Sequence, residues 1–273
     1  MQTISKITAA KKTKGRYHIY LTKEQGDEYA FSVSEDLLVR EQLSKGRQLT
    51  EEDIVNLKEK DDVNKAMQKV LNYLSYRMRS EDEVTRYLKD LEIEEEDINN
   101  IVERLYELQF IDDQRFAEAF VRTKRDTGKK GPMVIEQELY QKGVSKLIIA
   151  SALEQYPEEL QFDHAIKMVE KKQSSYKNES MKKKQQKLMQ FVIQRGYSQT
   201  IAGKAVMEAS IEEDPELEWE AINKHGDKVW RKYDKKDNWE KVQRVKQYLY
   251  GRGFNSDKID EWIDMKQSEA DEG

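Results

Sequence analysis

Few residues in this chain could do chemistry, and none are spaced to do it together. The three histidines, His18, His164 and His225, stand apart, with no second histidine or carboxylate at the helical spacing of a metal site. His164 lies one residue before Ala165 at an expected helix start, and reads as a surface residue rather than a ligand. There are no cysteines, which excludes disulfides, zinc ribbons, iron–sulfur clusters and thiol nucleophiles. Gly128-Lys129-Lys130-Gly131 lacks the spacing and the Lys-Ser/Thr ending of a phosphate-cradling loop, and no nucleophile elbow occurs. The carboxylates of Glu94-Glu95-Glu96-Asp97 sit in a dense solvated run, a poor setting for the shifted pKa that acid–base catalysis needs. The expectation is a binding protein, not an enzyme, with no cofactor and no metal.

What the chain does carry is unevenly spread charge. Its 48 basic and 53 acidic side chains give a net charge of −5 over 273 residues. Glu81 to Glu107 holds eleven acidic and three basic residues, whereas Lys167 to Lys187 holds eight lysines against two glutamates. Three basic clusters are candidate binding sites. The first is Arg77, Arg79 and Arg86, and the second is Arg122, Lys124, Arg125, Lys129 and Lys130, running into Gly131-Pro132. The third is Lys182, Lys183, Lys184 and Lys187, preceded by Tyr176. Such clusters suit phosphates or an acidic protein face, and a lysine run equally suits a helix face that does no more than solvate itself.

The elements that must position these charges are mostly helices. Ile4, Ile7, Tyr17, Ile19, Leu21, Tyr29, Phe31 and Val33 fall largely at period two, with turn signals at Lys14-Gly15 and Gln25-Gly26-Asp27, which predicts a three-stranded antiparallel meander. Two short helices are expected at Glu35 to Leu43, capped by Ser34, and Glu51 to Lys60, capped by Thr50 with Asp53. From Val63 onward, helix follows helix, and an internal period emerges. Leu139-Tyr140-Gln141-Lys142-Gly143-Val144, Val192-Ile193-Gln194-Arg195-Gly196-Tyr197 and Leu249-Tyr250-Gly251-Arg252-Gly253-Phe254 align, with Tyr87-Leu88-Lys89-Asp90-Leu91 as a degenerate copy. These anchors lie 52, 53 and 57 residues apart.

Each anchor is preceded by a helix carrying Ala66, Ala117, Ala165 or Ala221, and followed by one seeded by Ile98, Ile148, Ile201 or Ile259. The glycine ends a helix in the left-handed conformation, the next apolar residue folds back, and Ser145, Ser198 or Ser256 caps the third helix. A single three-helix unit buries little apolar area, so neighbours are expected to stack. The predicted fold is mainly α, with tandem three-helix repeats forming an elongated, curved array behind a small N-terminal antiparallel β meander. Its divisions are the meander at 1–34, a helical connector at 35–62, and repeats at 63–113, 114–162, 163–215 and 216–273, the last ending in an acidic tail. No apolar run approaches the ~20 residues of a membrane span, and no signal-peptide core follows the basic stretch Met1 to Arg16, so a cytoplasmic protein is expected.

Several motifs resemble the RecX family, regulators of the RecA recombinase. Tyr73-Leu74-Ser75-Tyr76-Arg77-Met78-Arg79-Ser80-Glu81-Asp82-Glu83-Val84 looks like its opening motif, Leu-x-x-Arg-x-Arg-Ser-x-x-Glu-Leu/Val. Phe110-Ile111-Asp112-Asp113 with Phe116-Ala117 resembles its Leu/Ile-Asp-Asp…Phe-Ala segment. Lys130-Gly131-Pro132, Glu138-Leu139 and Lys142-Gly143-Val144 resemble its Gly-Pro…Glu-Leu…Lys-Gly-Ile/Val run. The N-terminal β segment and the extra C-terminal repeat are similar to the long RecX proteins of low-GC Gram-positive bacteria. Within the motifs, Ser80 and Glu83 form a capping box, Leu74 and Val84 face the repeat core, and Asp112 and Asp113 are favoured as caps over functional contacts.

The resemblance implies a monomeric regulator of homologous recombination, DNA repair and the SOS response. It would bind RecA and the RecA–DNA filament along the filament groove, limiting ATP hydrolysis and strand exchange. It also implies contact with single-stranded DNA, for which Arg122–Lys130 and Lys182–Lys187 are the candidates. The competing reading is a non-sequence-specific single-stranded nucleic-acid-binding repeat protein, against which the net charge of −5 counts. A scaffold for an unrelated partner fits the motifs poorly. A helix-turn-helix reader is disfavoured, because the third helices, Ile98 to Glu103 and Ile259 to Trp262, are acidic and lack base-reading arginines.

Overall fold

Alternating apolar residues at the N-terminus form strands in the computed structural model, which describes residues 1–211 and 215–271. Glu212, Glu213 and Asp214, and the end of the expected acidic tail at Glu272-Gly273, lie outside the described residues. Strands β1 (Gln2–Ala9), β2 (Arg16–Lys23) and β3 (Gly26–Ser34) make the meander, and a fourth strand, β4 (Gln48–Leu49), pairs Leu49 with Gln2 and Gln48 with Thr3. The sheet therefore has four antiparallel strands in the order β3-β2-β1-β4, one more than expected. A two-residue strand has no periodicity to read; Leu49, fully buried, is placed by the core it completes with Ile4, Ile19, Phe31, Val33 and Leu37.

Helix α1 (Glu35–Arg40) is capped by Ser34 but stops three residues before Leu43, where Gln42 takes the left-handed conformation (φ 49°). Helix α2 (Glu51–Ser75) starts in the expected Thr50–Asp53 capping box but does not stop at Lys60. It runs 25 residues, so the connector's second helix and the first repeat helix are one. Nothing between Lys60 and Val63 could end it, since Asp61 is turned inward rather than used as a cap. Buried Asp61 accepts from Arg16 Nη1 (3.2 Å) and Nη2 (2.7 Å) and from the Ser34 backbone N–H (3.0 Å), tying α2 to the sheet.

The rest is a succession of helix triples. The first is α2, α3 (Glu81–Asp90) and α4 (Glu95–Glu107), and the second is α5 (Asp113–Thr127), α6 (Pro132–Gln141) and α7 (Lys146–Leu153). The third is α8 (Glu158–Lys172), α9 (Met181–Gln194) and α10 (Gln199–Glu208), with a 3₁₀ turn at Gln173–Tyr176. The fourth is α11 (Pro215–Lys232), α12 (Asn238–Gly251) and α13 (Ser256–Asp271). Each first helix buries its alanine (Ala66, Ala117, Ala165, Ala221), and each second helix buries a pair four residues apart. Those pairs are Val84/Leu88, Ile135/Leu139, Leu188/Val192 and Val245/Leu249.

The pairs set the register, and they correct two expectations. Leu88, not Tyr87, matches Leu139, so the left-handed residue ending α3 is Glu92 (φ 59°) rather than Leu91. Glu92 N donates to Lys89 O (2.9 Å) and Ile93 N to Leu88 O (3.3 Å). Gly196 and Tyr197 repeat that pattern after α9 (2.9 and 3.4 Å), and Gly253 and Phe254 after α12 (2.8 and 3.3 Å). In the third helices the constantly buried position is the fourth, Ile98, Ile149, Ala202 and Ile259, so Ile149 replaces Ile148 as the second triple's core residue. Ser198 caps α10 as expected, but Ser256 is already inside α13, where Asn255 Oδ1 accepts the Asp257 N–H instead.

By packing, the chain divides into two compact units, Met1–Phe116 with Lys142–Ser145, and Ala117–Gln141 with Lys146–Gly273. The short return of 142–145 to the first unit has a specific cause. Ser80 Oγ, at the start of α3, donates to Lys142 O (2.6 Å), the carbonyl just before Gly143. The same joint recurs twice within the second unit. Gly131 N, before α6, donates to Arg195 O (2.7 Å), and Ser180 Oγ, before α9, donates to Arg252 O (2.7 Å). Thus the N-terminal end of one triple's second helix sits on the C-terminal turn of the next triple's second helix.

These joints explain the repeated glycine better than chain reversal alone. A Cβ on Gly143 would lie 2.2 Å from Asp82 Cβ, and one on Gly196 would lie 2.7 Å from Val134 N. The corresponding left-handed residue after α3, Glu92, is exposed. The cap of α12 is likewise an exposed aspartate, Asp237, whereas Ser80, Gly131 and Ser180 are buried.

Candidate functional site

The first basic cluster grows from the joint between α2 and α3. Ser80 closes a capping box with Glu83, and Arg77 grips the same carboxylate with two bonds (2.8 and 3.1 Å). Lys142 Nζ reaches it too (3.0 Å). Burial would raise the Glu83 pKa, but Arg77, Lys142 and the Ser80 N–H outweigh it and hold the carboxyl down to about 2. A carboxyl whose pKa falls on folding stabilises above its unfolded value and loses that contribution as pH falls through the folded one. Acid titration of the chain therefore loses stability between about pH 4.5 and 2. In Glu83→Gln that portion of the loss is absent, as read from melting temperature against pH.

Arg79 lies over the Tyr73 ring (3.9 Å), which stacks on Tyr87 (4.4 Å), and its Nε is buried with no hydrogen-bond partner among the described residues. Arg86 pairs with Asp82 one turn back. The arginines of this cluster thus brace the joint, and the free surface beside them is Tyr76 (84% exposed) and Met78. A search for charge does not single out that pair; the available signal is two large apolar residues in the turn between a helix end and a cap. The two aspartates of Phe110-Ile111-Asp112-Asp113 are both caps. Asp112 accepts the Arg115 N–H of its own helix (2.9 Å), and Asp113 accepts the Glu81 N–H of α3 (2.8 Å). Burial, aided by Glu81, Asp112 and Asp82, keeps the Asp113 pKa above its ordinary value.

The second cluster gathers where α5 ends, at the helix terminus that favours cations. Arg125 Nη1 donates to Gln155 O (2.9 Å) and its Nε to Asp126, while Arg122 reaches Gln155 Oε1 (3.3 Å) and lies 4.0 Å from Glu118. Lys124 (3.4 Å) and Lys130 share the Glu138 carboxylate, whose pKa they lower against the effect of burial. Lys129, exposed at the loop tip, has no ion pair among the described residues. Arg122 and Lys129 are therefore the members with charge to offer.

Beneath this loop, His164 corrects an expectation. It is half-buried, with Nδ1 hydrogen-bonded to Tyr156 Oη (2.8 Å), which in turn meets the buried Tyr197 Oη (2.9 Å). Burial lowers the His164 pKa, Lys167 adding to the effect, and raises that of Tyr156. Among the described residues no group of three or more His, Asp or Glu side chains is placed to hold a metal ion.

The third cluster does not form one face. Lys184 is buried within the third triple, where it has internal interactions, and so is withdrawn from the expected binding set. Lys187 pairs with Glu179 and lies 5.5 Å from the Tyr176 ring centre. Lys182 is exposed and Lys183 half-buried. A further concentration of charge escapes a search for unbroken runs. From Lys224 to Lys246 there are nine basic and four acidic residues, spread at helical spacing.

Comparison with known proteins covers nearly the whole chain. Residues 2–50 match the regulatory protein RecX N-terminal domain, 66–105 the first RecX three-helix domain and 112–153 the second. The third RecX three-helix domain matches twice, at 158–206 and 216–263. Among similar relatives, a "Regulatory protein RecX" of Bacillus cytotoxicus is 38% identical over 270 residues, 99% of this chain and 100% of the relative. One of Oceanobacillus iheyensis is 42% identical over 267 residues, 97% of this chain and 98% of the relative. A crystal structure of regulatory protein RecX, 37% identical, matches with a TM-score of 0.67 over 76% of this chain and all of that one. RecX from Lactobacillus salivarius, 36% identical, matches with a TM-score of 0.53 over 56% of this chain.

Proposed function

Since the chain belongs to the RecX family of regulatory proteins, we propose that it binds RecA assembled on single-stranded DNA and limits ATP hydrolysis and strand exchange. It acts by binding, as a monomer in the cytoplasm, within recombination, DNA repair and the SOS response. The observation that carries this reading is full-length similarity to regulatory proteins across the N-terminal domain and all four triples. A tandem array is suited to a polymeric partner, because separate triples can engage successive protomers and add their affinities. No helix among the described residues is long and apolar enough to cross a membrane.

Two surfaces supply the contacts in this reading. In the first unit these are Tyr76 and Met78 beside Arg77, Arg79 and Arg86, the mixture of aromatic, Met and Arg that concentrates binding energy. In the second unit they are Arg122 and Lys129. RecA ATPase on single-stranded DNA is expected to fall as the chain is added. Joint substitution Arg122→Glu and Lys129→Glu raises the concentration for half-suppression about tenfold, with melting temperature unchanged. A variant as potent as the parent would remove this cluster from the interface, and a parent chain without effect on the ATPase would overturn the reading.

A further inference from the structure

Two helix faces of opposite charge are left without partners, one in each unit. In the first unit, Glu96, Asn100, Glu103 and Glu107 follow one another along α4 at steps of four, three and four residues, which places them on one side of the helix. All four are exposed, and none makes an ion pair or hydrogen bond among the described residues. Arg104, the one base of α4, projects about 100° further round the helix than Glu103. In the second unit, Lys224, Lys228, Arg231 and Lys235 repeat the same steps, the first three on α11 and the fourth in the turn continuing it. They too are exposed and unpaired among the described residues.

The acids between Lys224 and Lys246 are engaged elsewhere. Asp227 is held by Lys266 (3.2 Å) and Asp234 by Lys241 (2.9 Å). Asp237 caps α12 through the Glu240 N–H (2.9 Å), and Glu240 pairs with Lys236 (3.3 Å) and Arg244 (3.0 Å). Each stripe spans about 16 Å at the helical rise. Each also runs out onto exposed apolar side chains: Leu108 (49% exposed) and Phe110 (52%) follow Glu107, and Trp239 (74%) follows Lys235. Equal length, equal spacing and opposite sign make each face the complement of the other. Apolar surface at the same end of both favours a parallel alignment.

We propose that the α4 face of one copy of this chain docks on the α11 face of a second copy. Glu96, Glu103 and Glu107 meet Lys224, Arg231 and Lys235, and Phe110 meets Trp239. Because the two faces differ, the contact is heterologous, and each added copy leaves a face free for the next, giving an open chain rather than a closed dimer. Exposed ion pairs contribute little singly and are screened by salt, so the contact is weak and dilute chains stay monomeric. It gains where copies are held side by side on a polymer, because their effective concentration is then high. This contact is additional to those with RecA, and its test uses neither RecA nor DNA, so the two readings stand or fall independently.

The test is sedimentation equilibrium of the full chain in about 0.01 M and about 1 M salt, where the screening length is about 30 Å and about 3 Å. In the low salt the average mass is expected to rise with concentration above the 32.3 kDa of a single chain, and in the high salt to stay there. Joint substitution Lys224→Glu, Lys228→Glu and Lys235→Glu weakens self-association at least about tenfold, and so does Glu96→Lys, Glu103→Lys and Glu107→Lys. An equimolar mixture of these two variants associates like the parent, because each reversed face again meets its complement. Lys11→Glu, Lys12→Glu and Lys14→Glu, in the exposed turn between β1 and β2, give the same net charge as the first variant and leave association unchanged. A parent chain that stays at 32.3 kDa in low salt overturns the proposal. So does either face variant associating like the parent, or a mixture that remains at the mass of single chains.

Discussion

Replacing Gly196 with alanine lowers stability by about 3 kcal/mol, a fall of roughly 10 °C in melting temperature for a unit of this size. Two costs combine. Gly196 sits at φ 91°, where a Cβ is strained, and that Cβ would lie 2.7 Å from Val134 N and from its Cγ2. The obstacle includes backbone, so no side-chain rotation relieves it. The joint bonds Gly131 N to Arg195 O (2.7 Å) and Met133 N to Gly196 O (3.0 Å) would stretch as the helix end withdrew. The first triple supplies the opposite sign. Glu92 occupies the equivalent left-handed position and is exposed, so Glu92→Gly is expected to stabilise by about 1 kcal/mol. Paired melting curves decide the matter: equal and small effects at both positions would mean that the joints do not carry the array.

Asp61→Ala costs about 3 kcal/mol by a different route. Asp61 is 1% exposed and receives Arg16, the Ser34 N–H and Lys65 (3.0 Å). Truncation leaves the Arg16 guanidinium, whose side chain is only 18% exposed, facing the place of a missing carboxylate. It also strands the N–H of the residue that caps α1. Asp61→Asn retains an acceptor for one of these donors and falls between Asp61→Ala and the parent. Urea unfolding measures both variants; a loss under about 1 kcal/mol in Asp61→Ala would show that the sheet is held to α2 by its apolar core alone.

What is legible in the sequence follows periodicity and punctuation. The strands, the capping residues Ser34, Thr50, Ser80 and Ser198, and the glycines closing the second helices all act locally, and local chemistry can be read from neighbours in sequence. The departures have one source, which is that packing chooses between nearly equivalent local options. Ile148 and Ile149 are both apolar, and only the core reveals that the second is buried. Leu91 falls in the glycine position only when Tyr87 is aligned with Leu139, whereas the core aligns Leu88 and so places the exposed, left-handed Glu92 there. Strand β4 exists because Leu49 completes a core, and Lys184 sits beside the exposed Lys182 and half-buried Lys183 in a run of like residues that conceals which one faces inward. The binding surfaces are least legible. Arg77, Arg79, Lys124 and Lys130 look free in the sequence, and their partners, a tyrosine ring and two partly buried carboxylates, come from other helices.

As proposed, this RecX-family chain recognises RecA in its assembled state. The most direct test is co-sedimentation of the chain with RecA filaments formed on single-stranded DNA with a slowly hydrolysed ATP analogue. Free RecA and the bare DNA are the comparisons, at physiological salt. Saturable binding to the filament is expected at concentrations where free RecA and DNA alone retain little of the chain. Retention on bare DNA equal to that on the filament, and lost steeply as salt rises, would contradict it and leave a nucleic-acid-binding protein that meets RecA only as a competitor.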